Sequence, residues 1–124
     1  MRKLVESVLE NQSSSDIFIF RVTCGCCGSE YGNKPMRFSK AGVLPTSHAS
    51  RLFLGALYEQ EAKSAQQAAI CNAAEHMNYC PICKKLVCNQ CFLICDELDM
   101  CRSCASELGQ KGIPVQADII EAVV

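Results

Sequence analysis

A chain of 124 residues holds one domain with a modest core, and 11 cysteines without a tryptophan mark it as stapled by disulfides or by metal. With 12 basic and 13 acidic residues the net charge is -1, which removes the electrostatic footprint of a general nucleic-acid binder. No apolar run is long enough to span a membrane.

The chain begins MRKLVESVLENQSSSD, where Glu6 and Glu10 interrupt the apolar positions before a continuous h-region forms. No secretory signal is therefore expected, and the expected compartment is the reducing cytoplasm. In that setting paired thiols bind metal rather than each other, and an odd cysteine total does not close into a full disulfide framework. Leu4, Val5, Val8 and Leu9 stand at helical spacing and predict a short amphipathic helix, ended by the polar turn 12–16. The segment 12–40 is expected to carry strands. Ile17 to Val22 is β-branched and aromatic and runs into Cys24, with Met36 to Phe38 as its expected partner. Gly42, Pro45, Thr46, Ser47 and Ser50 then form a loop that ends in helix-capping residues.

A long helix is predicted over 50–78. Leu54, Tyr58, Ala62, Ala65, Ala69 and Ala73 fall on one stripe at three-to-four spacing, with no proline inside. In the segment 79–108 cysteine is too dense for hydrophobic periodicity to specify structure, so ligand geometry must organise it. The tail, 109–124, ends in the apolar set Ile119, Ile120, Val123 and Val124. All of these segments are expected to belong to one domain spanning 1–124.

Cys24/Cys27, Cys80/Cys83, Cys88/Cys91 and Cys101/Cys104 share one spacing, C-x-x-C. Chance placement of the same cysteines gives about one such pair. Two residues between thiolates let the backbone turn into a knuckle whose amides point at the sulfurs, and two knuckles complete a tetrahedral four-cysteine site for zinc. Eight thiolates thus predict two Zn²⁺ ions in closed, structural sites with no position left for a reacting water. No catalytic residue is expected, and the chain is read as a non-enzyme. Only 84–87 separate Cys83 from Cys88, and so short a connector places adjacent pairs on different ions more readily than on one.

The run CPICKKLVCNQC, followed after nine residues by CRSCASEL, resembles the C-terminal half of FYVE-type zinc fingers. That resemblance implies a zinc-stabilised treble-clef fold. With the strands and the long helix read from the residues, the expected class is α+β with a short β-sheet and one long α-helix, although the gap between the first two knuckles, which holds that helix, is far longer than in the family. The resemblance also implies cross-brace pairing, with Cys24, Cys27, Cys88 and Cys91 on one ion and Cys80, Cys83, Cys101 and Cys104 on the other. A sequential arrangement, 24/27 with 80/83 and 88/91 with 101/104, is the alternative. The sequence departs from the family where the family binds phosphoinositide: ahead of the second knuckle it reads AAEHMNYC, with His76 the only residue of the right kind. RING fingers, the other well-known cross-brace family, place a histidine among their middle ligands, and none lies between Cys83 and Cys91.

Cys26 competes with Cys27 for the first site, but Gly28 follows Cys27 and suits the left-handed turn that closes a knuckle. Cys71 reads as a small core hydrophobe, and Cys95 as a core residue ahead of a spare ligand or a redox-sensitive thiol. His48 and His76 are the only other soft ligands, and four complete pairs leave them no vacancy. Lys84 and Lys85 are expected to offset the charge of a four-thiolate site. The leading functional expectation is a protein-interaction module or small subunit of a larger complex, meeting a protein partner or a second copy through the long helix and the tail. A nucleic-acid-binding zinc ribbon, resting on Lys34, Arg37, Lys40, Arg51 and Lys63, is one alternative, and a thiol redox switch is another.

Overall fold

The computed structural model describes residues 1–115. Helix α1 (Arg2–Val8) forms where the apolar spacing predicts it and buries Val5 completely, while Leu4 and Val8 stay substantially exposed. Strand β1 (Glu10–Asn11) follows directly. The predicted strand from Ile17 is split into β2 (Ile17–Phe18) and β3 (Phe20–Thr23). The cause is local. At Ile19, between them, the Ser13 hydroxyl accepts from the Ile19 amide at 2.9 Å and the Gln12 amide donates to the Ile19 carbonyl at 2.8 Å. The halves therefore serve different ladders. β3 lies between β1 and β4 (Glu30–Gly32), and β2 pairs with β5 (Met36–Arg37) as the sequence leads one to expect. Buried Asn33 clamps the break: its Oδ1 accepts from the Phe20 amide at 2.9 Å and its Nδ2 donates to the Phe18 carbonyl at 3.0 Å.

Helix α2 (His48–His76) is 29 residues long. Ser47 caps it reciprocally with Ser50, each hydroxyl accepting from the other's backbone amide. Its predicted end at 78 falls too late, because β6 (Met77–Tyr79) turns extended to pair antiparallel with β7 (Leu86–Cys88) across the second knuckle. The alanine stripe faces inward. Ala65, Ala69 and Ala73 are fully buried, and their small side chains let strands approach the helix closely enough for the Gly32 amide to donate to Asn72 Oδ1 at 3.0 Å. A side chain at Gly32 would overlap the Phe20 carbonyl oxygen. The stripe is thus an internal seam and not a free partner surface.

The chain closes with β8 (Phe92–Cys95), β9 (Met100–Cys101), α3 (Arg102–Leu108) and β10 (Gly112–Pro114), the strands ordered β10-β8-β9. The expected α+β class holds, with the strands of the described residues spread over four small antiparallel sheets instead of one. Two cores result. One gathers Phe18, Phe20, Phe38, Ala65 and Ala69, with Tyr58 packed 4.9 Å from Phe18 and 5.2 Å from Phe38, ring centre to ring centre. The other gathers Val5, Val22, Ile70, Ala73, Met77 and Val87 around the cysteines. No helix among the described residues is long and apolar enough to cross a membrane. Ile119, Ile120, Val123 and Val124 lie outside the described residues.

Candidate metal centre

The first knuckle hangs from the end of β3. The Cys24 amide donates to the Ser29 carbonyl at 2.7 Å and the Gly28 amide to the Cys24 carbonyl at 3.1 Å, closing a turn in which Gly28 has φ +79°. The second knuckle repeats this design between β6 and β7. The Cys80 amide donates to the Lys85 carbonyl at 2.9 Å, the Lys84 amide to the Cys80 carbonyl at 2.8 Å, and Lys84 takes the left-handed conformation at φ 61°. The sulfurs of Cys24 and Cys80 then collect amide donors in parallel fashion: the Cys88 amide at 3.2 Å for one, the Cys101 amide at 3.3 Å for the other. Such donors stabilise thiolate.

The other two pairs come from different elements. Cys88 ends β7, and the Cys91 amide turns back to the Cys88 carbonyl at 3.0 Å. Cys101 caps α3, its sulfur accepting from the Cys104 amide at 3.5 Å. The fold brings Cys24, Cys27, Cys88 and Cys91 into one cluster and Cys80, Cys83, Cys101 and Cys104 into another, with the sulfurs of each cluster within 4.8 Å of one another. The pairing is interleaved, first with third and second with fourth, so the sequential alternative is not the one the chain adopts. Interleaving follows from the antiparallel β6–β7 hairpin, which sets Cys80 and Cys88 at its two ends and sends them to different clusters.

Sulfur separations test what the clusters suit. Cys27 to Cys88 is 3.7 Å, Cys83 to Cys101 3.8 Å and Cys80 to Cys104 3.9 Å. Disulfide sulfurs sit at about 2.0 Å, whereas tetrahedral thiolates around an ion with metal–sulfur bonds of about 2.3 Å stand roughly 3.8 Å apart. The clusters have the dimensions of metal sites. Six of the eight cysteines are buried, Cys83 is half-buried and only Cys27 is exposed.

Electrostatics separates the thiols. Hydrogen bonding with the side chain and backbone of Ser29 lowers Cys27 to about 6. Burial pushes Cys80 up, but the amides of Cys101, Cys83 and Ile82 outweigh it and bring it to about 6. Cys91 and Cys104 move the other way, raised by burial and by the neighbouring cysteines. Without a cation the four sulfurs of a cluster cannot all be thiolates. A bound divalent cation removes that conflict, since it deprotonates the thiols that ligate it.

The remaining sequence candidates stand outside both clusters. Cys26 points its sulfur to Ser103 Oγ at 3.4 Å, leaving the ligand position to Cys27. Cys71 is half-buried and accepts from Arg2 Nη2 at 3.2 Å, and Cys95 lies half-buried on β8. His48 begins α2 at the surface. His76 ends it, held to the Asn72 carbonyl at 2.8 Å and stacked on Tyr31 with ring centres 5.4 Å apart. Lys85 borders the second cluster as expected, lining a cleft with Cys83, Cys101 and Cys104. Beside the first, Arg102 plays that part, its guanidinium bonded to Cys26 and close to Cys91. Two neighbours escaped the sequence reading: Arg102, one residue past Cys101, and Tyr31, pushed up to about 12 by burial and by its hydrogen bond to Cys88. Tyr31 reaches the site only through the register Val22↔Tyr31, which no motif announces.

No family model, curated protein or solved structure matches this chain.

Proposed function

We propose that the chain is a two-zinc structural domain, working in a reducing compartment, whose task is to bind another protein. The observation that carries this is the pair of closed, interleaved four-cysteine clusters. Four thiols fill a tetrahedral zinc site and leave no open position for a reacting water, so the metal's contribution is to shape. Each ion ties a segment from the middle or start of the chain to one near its end, and the core around Val22, Met77 and Val87 packs on the ligands themselves.

The surface offered to a partner is the outward face of α2. At about 100° per residue, Phe53 and Ala56 lie on the side away from the buried alanine stripe, and Leu52 lies at its flank, near the start of the helix. Leu52 and Phe53 are each 62% exposed, and Leu44, just before the helix, is 81% exposed. Apolar side chains so exposed at one end of a helix favour a protein contact, either a partner or a second copy.

Elemental analysis of protein purified under reducing conditions tests the first half of this proposal: two zinc ions per chain are expected, and one or none would overturn it. Light scattering and partner capture, run on the wild type and on a Leu52→Ser/Phe53→Ser variant, test the second. Loss of complex with both ions retained is expected. An unchanged complex would remove α2 from the interface.

A further inference from the structure

We infer that the groove between α1 and the second knuckle is a docking site for a short peptide segment of a partner protein that carries carboxylates beside apolar side chains. The groove encloses about 400 Å³. Leu4 and Val8 of α1 line one side, and Tyr79 and Leu86 of the β6–β7 hairpin the other. Leu4 is 41% and Val8 49% exposed although both sit on an apolar helical face, so the groove holds apolar area that the domain leaves uncovered. Its charge is one-sided. Lys84 and Lys85 line it, and among the described residues no carboxylate does. Glu6 projects to the opposite side of α1, where it borders a different cavity, and Glu30, opposite Thr23 in the β3–β4 register, lies outside the lining.

Lys84 adds an internal control. The two knuckles share the same hydrogen bonds and the same left-handed closing residue, which is Gly28 in the first and Lys84 in the second. A side chain in that conformation costs about 1 kcal/mol that glycine avoids. The second knuckle therefore accepts strain and gains an ammonium group on the groove. Neutralising the thiolate cluster does not require it there, because Lys85 already borders the sulfurs and Lys84 does not line that cleft. An apolar trough with two ammonium groups suits a peptide in which leucine-like side chains fill the trough and aspartate or glutamate meets the lysines. A concave recess between a helix and a hairpin admits side chains but not the flat surface of a bilayer, which favours a peptide over an anionic membrane.

The inference rests on the clusters being metal-filled, since Lys84 follows Cys83 directly, and zinc content is therefore measured on every sample used. The zinc-loaded chain is panned against a displayed library of random short peptides, and enriched peptides are mapped by amide shifts. Enrichment of acidic, leucine-rich peptides that shift Leu4, Val8, Tyr79 and Leu86 is expected. Lys84→Gly relieves the backbone and should keep both ions, with a melting temperature equal to or above that of the wild type, while weakening binding roughly two- to fivefold, the worth of one exposed ion pair. Raised salt should weaken binding in the wild type more than in the variant. The proposal is overturned if zinc-loaded protein enriches nothing or enriches peptides without carboxylates, or if Lys84→Gly binds equally well. It is likewise overturned if phosphatidylserine vesicles bind through the lysines and peptides do not, or if peptides bind only after removal of 116–124, which would make the chain's own tail the occupant. A sample that folds without zinc would instead sink the metal reading.

Discussion

Cys24 and Cys88 are 64 positions apart in sequence, yet the Cys88 amide donates to the Cys24 sulfur at 3.2 Å. Losing either ligand opens the same cluster. In cobalt-substituted protein, Cys24→Ser and Cys88→Ser should each remove about half of the thiolate charge-transfer absorbance, and the double mutant should lose little more. Cys24→Ser with Cys80→Ser, by contrast, should remove nearly all of it, and additive loss in the first pair would contradict the interleaved pairing. Acidity follows from the same residues. Cys27 and Cys80, at about 6, are already thiolates at neutral pH, whereas Cys91, Cys101 and Cys104 are held above the ordinary 9.0. Zinc must displace protons from the raised group, so its affinity should keep climbing from pH 6 through 9, with proton release on binding, and should fall as pH drops through the range of Cys27 and Cys80. Competition titration against a chelator of known zinc affinity at each pH checks this. An affinity flat above pH 7 would show that the raised thiols are not ligands.

At the scale of elements, α2 and the knuckles were legible for different reasons. The stripe through Tyr58, Ala65, Ala69 and Ala73 and the capping serines fixed α2 to within a turn, because 3.6-residue periodicity and a reciprocal cap are local signals. Its last predicted residues, Met77 and Asn78, were lost to β6 because pairing with Cys88 and Val87 outweighs helix propensity, and that pairing is set by a knuckle further along the chain. Spacing picked out the eight cysteines of the two clusters for the same local reason, while the interleaving needed a family resemblance to suggest and a fold to show. Which way the alanines faced was not legible, since a small-residue stripe suits an internal seam and an external contact equally. Its burial yields a prediction. Ala69→Leu inserts bulk against Phe18, Phe20 and Phe38 and should destabilise the domain by about 1–3 kcal/mol. Thermal melting with zinc analysis checks it: a lowered midpoint with both ions retained is expected, and an unchanged midpoint would mean that the seam is open.

For the whole molecule, the interleaved ligands and the divided core set how it should come apart. The core around the clusters contains six of the eight clustered cysteines among its buried residues, so without bound cations thiols with conflicting charge stand at its centre. Among the described residues the aromatic core has no cysteine, and Phe18, Phe38 and Tyr58 touch one another in three ring contacts. Each fully buried phenylalanine is worth about 1.5–3 kcal/mol in transfer terms, and this core keeps its contacts whether or not metal is bound. Chelation should therefore loosen the molecule unevenly. Amide exchange is expected to rise at 24–31 and 77–108 together, because each ion bridges distant segments and neither knuckle can be released alone. Protection should persist longest at 58–69 and around Phe18 and Phe38, where packing does not depend on the ligands. Exchange measured by mass spectrometry before and after verified zinc removal gives the answer. Uniform loss of protection would make the two cores one cooperative unit, and protection retained at 77–108 would mean that the ions do not hold the fold.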